Sequence, residues 1–382
     1  MKNLHLPHVE DLLVIEADAL APVKYLDAMF QFLMLNNPEN VKVSAKWDGS
    51  PAFVCGNHPE DGRFFIGTKG VFAGKACRTK QEIDLYYGDK PALAHKLTEL
   101  FWYLHPLEWK GIVQGDLLWT KDSVTYDNDG FWFQPNCLKY HFPIHRAGNI
   151  GVVCHTTYTG NDFKTMEANF GAAVPYYRMS PNVFIFEPEL EMLSPNYRDL
   201  NNTHKIQKHI QWYLEYLYMI AYTLKYAPEI LKSLQEPKIL DYFFRYTNLQ
   251  IKDPDGGVSA DSFLQFIEQE YIKHITSLKT ERGKRNARED MNEVLRSIRG
   301  CDMWFLHGIF SFYQCLAEAK REIIGYLDYL FSVNHEFGWK ITLPNGDPCG
   351  HEGYVLTIDN KPAKFVDRYT FSKANFELKR EW

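Results

Sequence analysis

The stretch Val41-Lys42-Val43-Ser44-Ala45-Lys46-Trp47-Asp48-Gly49-Ser50 decides how the rest of the chain is read. Its first six residues have the composition of a short strand, and Asp48-Gly49-Ser50 is a turn signal. Lys46 therefore stands at a strand end, with Gly49 letting the backbone turn away so that the lysine can point into a cleft. A lysine amine is a good nucleophile only when neutral. At its reference pKa of about 10.4, holding it neutral at pH 7 costs roughly 4–5 kcal/mol. A metal ion or other cations beside it reduce that cost. Taken alone, the same five residues from Lys46 also describe an exposed strand-end lysine before an Asp-Gly turn.

Working outward, short β-rich runs follow at Ala52–Cys55, Arg63–Thr68, Gly111–Trp119, Phe131–Phe133, Gly151–His155 and Val183–Glu187. Turn chemistry at Asp61-Gly62 and Asp127-Asn128-Asp129-Gly130 separates them, and one helix is expected at Lys90–Leu104. Upstream, Tyr25–Leu35 reads as an apolar helix within an N-terminal helical and loop segment, 1–40. From Asn202 to Val333 the pattern is helical, with three- and four-residue apolar spacing in Ile206–Leu224, Phe263–Leu278, Arg285–Ile298 and Cys301–Leu330. Asp253–Gly257 reads as a loop between helices. After Asn334 the β pattern returns at Trp339–Leu343, Tyr354–Ile358 and Ala363–Val366, punctuated by Asn345-Gly346 and Asp359-Asn360. The class is α+β. Two consecutive domains plus a hairpin would fit the pattern. A helical domain, 202–333, inserted into a discontinuous β-rich domain, 41–201 and 334–382, fits better, because the chemistry-bearing motifs lie on both sides of the helices.

The bulk numbers exclude several classes. The chain has 382 residues, 45% hydrophobic and 24% charged, which suits a soluble globular protein with a substantial core. Its net charge of −6 argues against a generally basic surface, so any nucleic-acid contact must come from a local patch. Seven cysteines, scattered and without a CxxC pair, argue against a disulfide framework or structural zinc site. Acids interrupt the N-terminus where a signal peptide would be apolar, and no run of 18 apolar residues occurs. A monomer in the cytoplasm is expected (the host cytoplasm if the source is viral), with no membrane partner.

Four further motifs carry chemistry. Thr68-Lys69-Gly70 ends a strand candidate, as does Gly115-Asp116-Leu117-Leu118. Beyond the helices, Glu352-Gly353-Tyr354-Val355-Leu356 starts a strand, and Ala363-Lys364-Phe365-Val366-Asp367-Arg368 follows it. This order resembles the covalent nucleotidyltransferase superfamily of ATP-dependent polynucleotide ligases. KxDGS followed by a Lys-Gly pair is most similar to bacteriophage-type RNA ligases. The likeness spans about 41–200 and 335–372 of the chain.

The resemblance implies a ligase-type (ATP-grasp-like) antiparallel-sheet core and covalent attachment of AMP to Lys46. ATP and Mg²⁺, or Mn²⁺, would be the cofactors, and RNA or DNA ends the partners. Asp48 and Gly49 would complete the nucleotide motif around Lys46. Lys69 would contact a phosphate or the nucleobase. Asp116 stands where the family has a ribose-binding Glu and is one methylene shorter. Glu352 would help to hold the metal, and Lys364 is the first lysine of a KxK strand. Val366 replaces the second, which leaves that contact missing or supplied by Lys361 or Arg368. Gly151–His155 and Val183–Phe186 both compete for the strand that sandwiches the adenine. RNA is favoured over DNA because only 14 residues follow Arg368, too few for an OB-fold. The alternatives are the same chemistry on a non-nucleic-acid acceptor, or an inactive binding protein of the same fold.

Between Lys273 and Arg299 stand eight basic residues against four acids, an excess that marks Arg282, Lys284, Arg285 and Arg288 as a candidate nucleic-acid contact. A solvated helix face has the same look. His141, His145 and His155 read as structural histidines, because no ligand at useful spacing completes a metal site. Asp127–Gly130 reads as a hairpin turn, since a calcium loop needs a later glutamate that is absent.

Overall fold

The computed structural model describes residues 6–34, 40–171, 180–187, 200–226, 228–252, 258–300, 302–333 and 340–372. In chain order the strands are β1 (Val41–Lys46), β2 (Ala52–Asn57), β3 (Phe64–Gly67), β4 (Ile112–Thr120), β5 (Val124–Tyr126), β6 (Phe131–Phe133), β7 (Lys139–Phe142), β8 (Ile150–Thr159), β9 (Glu167–Phe170), β10 (Val183–Phe186), β11 (Lys340–Thr342), β12 (Gly353–Ile358) and β13 (Lys361–Phe365). The helices are α1 (Leu12–Ile15), α2 (Leu20–Leu33), α3 (Lys80–Tyr87), α4 (Pro91–Leu104), α5 (Leu200–Leu224), α6 (Pro228–Gln235), α7 (Pro237–Lys252), α8 (Ala260–Ser277), α9 (Glu281–Arg299) and α10 (Met303–Val333). The α+β class holds. The Asp253–Gly257 loop lies outside the described residues, as do Leu35 and Cys301.

Three sheets form. One is three-stranded and antiparallel, in the order β1-β12-β13. A second has the path β10-β8-β4-β2-β3, with β9 also paired to β8; β10 runs parallel to β8 and the other pairs are antiparallel. The third is four-stranded, β11-β7-β6-β5. After α10 the chain therefore adds β11 to one sheet and β12–β13 to another. Asp359 and Asn360 join β12 to β13 with φ of 48° and 61°, the mirror-image two-residue turn that matches strand twist. Asn345-Gly346 also turns the chain, and the Cys349 amide donates to the Ile341 carbonyl at 3.0 Å.

Residues 9–33 pack with the helices. Val9, Leu13, Val23 and Met29 share one core with α5 to α10 and with Val43, Tyr354, Leu356, Ala363 and Phe365. The helical part begins at Leu200 and packs on the inner face of the β1-β12-β13 sheet. Helices α6 and α7, which periodicity alone did not mark, open on Pro228 and Pro237, and proline is favoured in a first helical turn. Separately, Leu97, Leu100 and Leu104 of α4 bury against Phe53, Val113 and Val152 of the β10-β8-β4-β2-β3 sheet. A third, aromatic core of Trp47, Trp119, Phe131, Tyr140 and Val366 draws residues from the second and third sheets and from the positions that directly follow β1 and β13. No helix of the described residues is long and apolar enough to cross a membrane.

Candidate active site

Strand alternation sorts the first sheet into two faces. Val43, Tyr354, Leu356, Ala363 and Phe365 turn inward to the helical core. Ser44, Val355 and Lys364 are paired in register across the three strands and share the other face with Lys46. Lys46 is opposite Gly353 at the sheet's end, beside Glu352. There the Lys46 ammonium donates to Glu352 Oε2, an ion pair between residues 306 positions apart. A Cβ on Gly353 would meet the Phe365 carbonyl oxygen at 2.3 Å, so glycine lets β13 close against this corner. Burial pushes the Lys46 pKa down, but the charge and hydrogen bond of Glu352, with Asp116 and Asp48 behind, leave it above the usual value. Lys46 is thus held protonated by a carboxylate, which differs from the cation-lined setting expected for a neutral amine.

Strand β4 lies directly against the turn after Lys46, where the Ser50 amide donates to the Leu117 carbonyl at 2.8 Å. Gly49 is needed for space: a Cβ there would lie 2.5 Å from Asp116 Cβ. Asp116 pairs in register with Ala52 and Val153, and its Oδ2 is 3.6 Å from His155 Nε2. Lys69, at the start of a short 3₁₀ turn (Lys69–Ala73), has its pKa lowered by burial and partly restored by Asp116. Asp48 works from beneath the site. Its Oδ1 accepts from Asn136 Nδ2 and its Oδ2 from the Leu138 amide, both at 2.7 Å. The Asp48 amide donates to Tyr140 Oη at 3.0 Å, and the Tyr140 ring stacks on Trp47. Both Asp48 oxygens are thus engaged by the Asn136–Leu138 segment, which fixes the turn after Lys46. Burial, and then the Glu352 charge, raises its carboxyl pKa to about 6.

Lys364 lies on the cleft face with its pKa lowered to about 8, by burial and then by the Lys46 charge. Its amide donates to the Pro7 carbonyl at 2.8 Å, and His8 bridges alongside it. Sequence reasoning missed His8, because nothing in residues 6–8 signals a strand edge. Burial, and then the charges of Lys320, Arg368, Lys364 and Lys46, holds the His8 pKa well below the usual value. Neither stand-in for the missing second lysine reaches the cleft. Lys361 lies opposite Ile358 and Val41, at the far end of the sheet from Lys46. Arg368 is buried, its Nη1 on Asp11 Oδ1 (3.3 Å) and Tyr313 Oη (3.0 Å) and its Nη2 on Asn248 Oδ1 (2.7 Å). Val366 packs in the aromatic core.

The remaining candidates separate from this cluster. Arg282, Arg285 and Arg288 are exposed on α9, and Lys284 pairs with Glu281 at 2.8 Å. No ion pair or hydrogen bond among the described residues joins them to the Lys46 corner. β8 and β10, the two competitors for the adenine strand, are neighbours; Phe186 tilts against Trp47 at 5.2 Å and Phe170 against His155 at 5.5 Å. His141 is buried beside Trp132 and Asp127, and His145 is exposed. Asp127–Gly130 is the β5–β6 turn, closed by the Asp127 amide on the Gly130 carbonyl at 3.0 Å.

No curated protein and no solved structure matches the chain. The family described as a family of unknown function, DUF6267, matches residues 3–380, and the chain belongs to it.

Proposed function

We propose that the protein is an ATP-dependent nucleotidyltransferase that forms a phosphoramidate between Lys46 and AMP, and that it seals polynucleotide 5′-phosphate to 3′-hydroxyl ends, RNA in preference to DNA. The observation that carries this reading is the meeting of Lys46 with Glu352, next to Lys364 on the same sheet face. Segments that resemble two separate ligase motifs, 306 positions apart, meet at one corner. Asp116 is near enough to Lys46 and to Lys69 for its charge to raise the pKa of each.

In the reaction, Lys46 Nζ attacks the α-phosphorus. The N–P bond forms, the bond to the bridging oxygen breaks, and pyrophosphate leaves. Glu352 must first release the ammonium, and the proton must pass from Nζ to solvent water, because only the neutral amine has a lone pair. Lys364, on the same face, offsets negative charge on the departing phosphates. Among the described residues no cluster of three or more His, Cys, Asp or Glu could hold a metal ion. Mg²⁺ keeps waters and binds through one or two carboxylates plus substrate phosphates, and Glu352 is the carboxylate that the ligase resemblance assigns to it. Bound there, the cation would neutralise phosphate charge and compete with Lys46 for Glu352. The AMP would then pass to a 5′-phosphate and be displaced by a 3′-hydroxyl.

Incubation with α-labelled ATP and Mg²⁺, denaturing electrophoresis and mapping of the label test the first step. Label on Lys46 supports it, and label on another lysine, or none, sinks it. Joining of a 5′-phosphorylated strand separates ligation from AMP transfer to another acceptor. Reversal of Arg282, Lys284, Arg285 and Arg288 to Glu should weaken polynucleotide binding and lower the salt slope by about one for each phosphate no longer neutralised. Labelling of Lys46 should survive. Unchanged affinity and slope would make α9 a solvated face.

A further inference from the structure

Helix α5 has its apolar stripe already satisfied. Ile210, Leu214, Leu217, Ala221 and Leu224 are buried in the helical core. Yet its opposite face carries a second stripe of large side chains. Trp212 (63% exposed), Tyr216, Met219, Tyr222 and, just past the helix end, Tyr226 (86% exposed) follow at spacings of four, three, three and four. That spacing puts them on one solvent face over about 21 Å. Other tyrosines of the helix are used internally: Tyr213 donates to Glu318 at 3.0 Å and Tyr218 to Asp27 at 2.9 Å. Tyr216, Tyr222 and Tyr226 make no such bond among the described residues.

The chemistry of the stripe selects its occupant. This face is aromatic, and the rings of Trp212 and Tyr216 lie nearly parallel, 8° between planes and 6.2 Å between centroids. Exposed Lys205 and Lys208 continue the stripe toward the helix start, and Lys225 flanks its end. The acid beside it, Glu215, accepts from Gln211 at 3.2 Å. A positive, ring-bearing face on a chain of net charge −6 complements a polyanion whose units carry flat π-faces. We propose that the exposed face of α5 is a stacking platform for a single-stranded polynucleotide. Bases would rest on Trp212, Tyr216, Tyr222 and Tyr226, and phosphates would run past Lys205 and Lys208. The choice of a polynucleotide over a protein rests on the ligase reading as well as on the residue types.

The test is a titration of the full chain against a fluorescein-labelled 12-nucleotide RNA, read by anisotropy and by quenching of tryptophan emission. Trp212→Ala and Tyr216→Ala should each weaken binding on the order of 5- to 150-fold with little change in salt slope. Trp212→Phe should restore most of the affinity, whereas Lys205→Glu with Lys208→Glu should lower the slope. These side chains are exposed, so circular dichroism melts should match the unmodified protein. RNA affinity indifferent to Trp212→Ala and Tyr216→Ala, or no RNA binding by the unmodified chain, overturns the proposal. So does light scattering that shows a dimer dissolved by Trp212→Ala, because the occupant is then a second copy. Labelling of Lys46 is followed in the same samples. Label with an indifferent stripe removes the platform alone, and a ring-dependent RNA complex without label removes the ligase reading alone.

Discussion

Two clusters of opposite charge lie on either side of β13, and they differ mainly in access to water. At the cleft corner Lys46 and Glu352 pair with side-chain exposures of 29% and 11%. Within the helical core Lys320 grips both oxygens of Glu10 at 2.7 and 2.8 Å, with exposures of 2% and 1%. Asp11, Tyr313, Asn248 and Arg368 complete the inner network. Burial pulls the Lys320 pKa down and Glu10 opposes it, whereas at Lys46 the carboxylates outweigh burial. In the inner cluster Glu10 and Lys320 satisfy each other, and the network ties four separated parts of the chain together. The outer one has a single strong partner and an open side, which suits exchange of that partner for a ligand. The same residue types therefore serve cohesion in one place and chemistry in the other.

Substitutions should separate the two. Lys46→Ala should abolish covalent AMP and cost less stability by denaturant titration than Lys320→Ala, whose partner is more deeply buried; an equal loss would put Lys46 with the inner cluster. Glu352→Ala should slow labelling by at least about 10²-fold, the scale of a lost electrostatic group. Near-normal rates would place the chemistry elsewhere. Lys320→Ala should cost about 3–5 kcal/mol by denaturant titration, because Glu10 would stay buried without it. Pairing Lys320→Met with Glu10→Leu should recover much of that, and no recovery would mean that the pair does more than satisfy itself.

The smallest effect is a slope. With Lys364 lowered to about 8, the unfolded chain holds a proton between that pH and 10.5 that the folded chain lacks. Stability should therefore rise with pH across this window. Lys364→Met should be the more stable protein at pH 7 and lose its advantage toward pH 10. ATP affinity should decline as pH passes 8, and Lys364→Arg should flatten the decline. Parallel profiles for the two proteins would remove Lys364 from the phosphate site.

Much of this was legible in the residues. β1, β6 and the β12–β13 turn could be placed because composition and turn chemistry are local. Lys46, Glu352 and Lys364 could be grouped because their motifs have a known order, although nothing local says that Glu352 holds the Lys46 proton. The role of Asp48 was hidden because its partners, Asn136 and Leu138, lie nearly ninety positions away and hydrogen bonds leave no periodicity. His8 and the Glu10–Lys320 pair were hidden for the same reason. The fusion of residues 9–33 with the helices was also not legible, since apolar spacing marks a buried face without naming what covers it.

The pairing of β1 with β12 has a consequence for how the molecule is made. Strand β1 leaves the ribosome some 300 residues before the strand it pairs with, and until then Lys46 stands on an edge that lacks its partner. Closing so long a loop is slow because its entropy must be lost before any contact rewards it. Any strand synthesised in between that strayed onto that edge would compete for it. The corner can therefore exist only once β12 has been synthesised. Nascent chains halted before β12 should lack it entirely, and a chaperone that covers exposed strand edges should raise the yield of folded protein more than one that acts on helices.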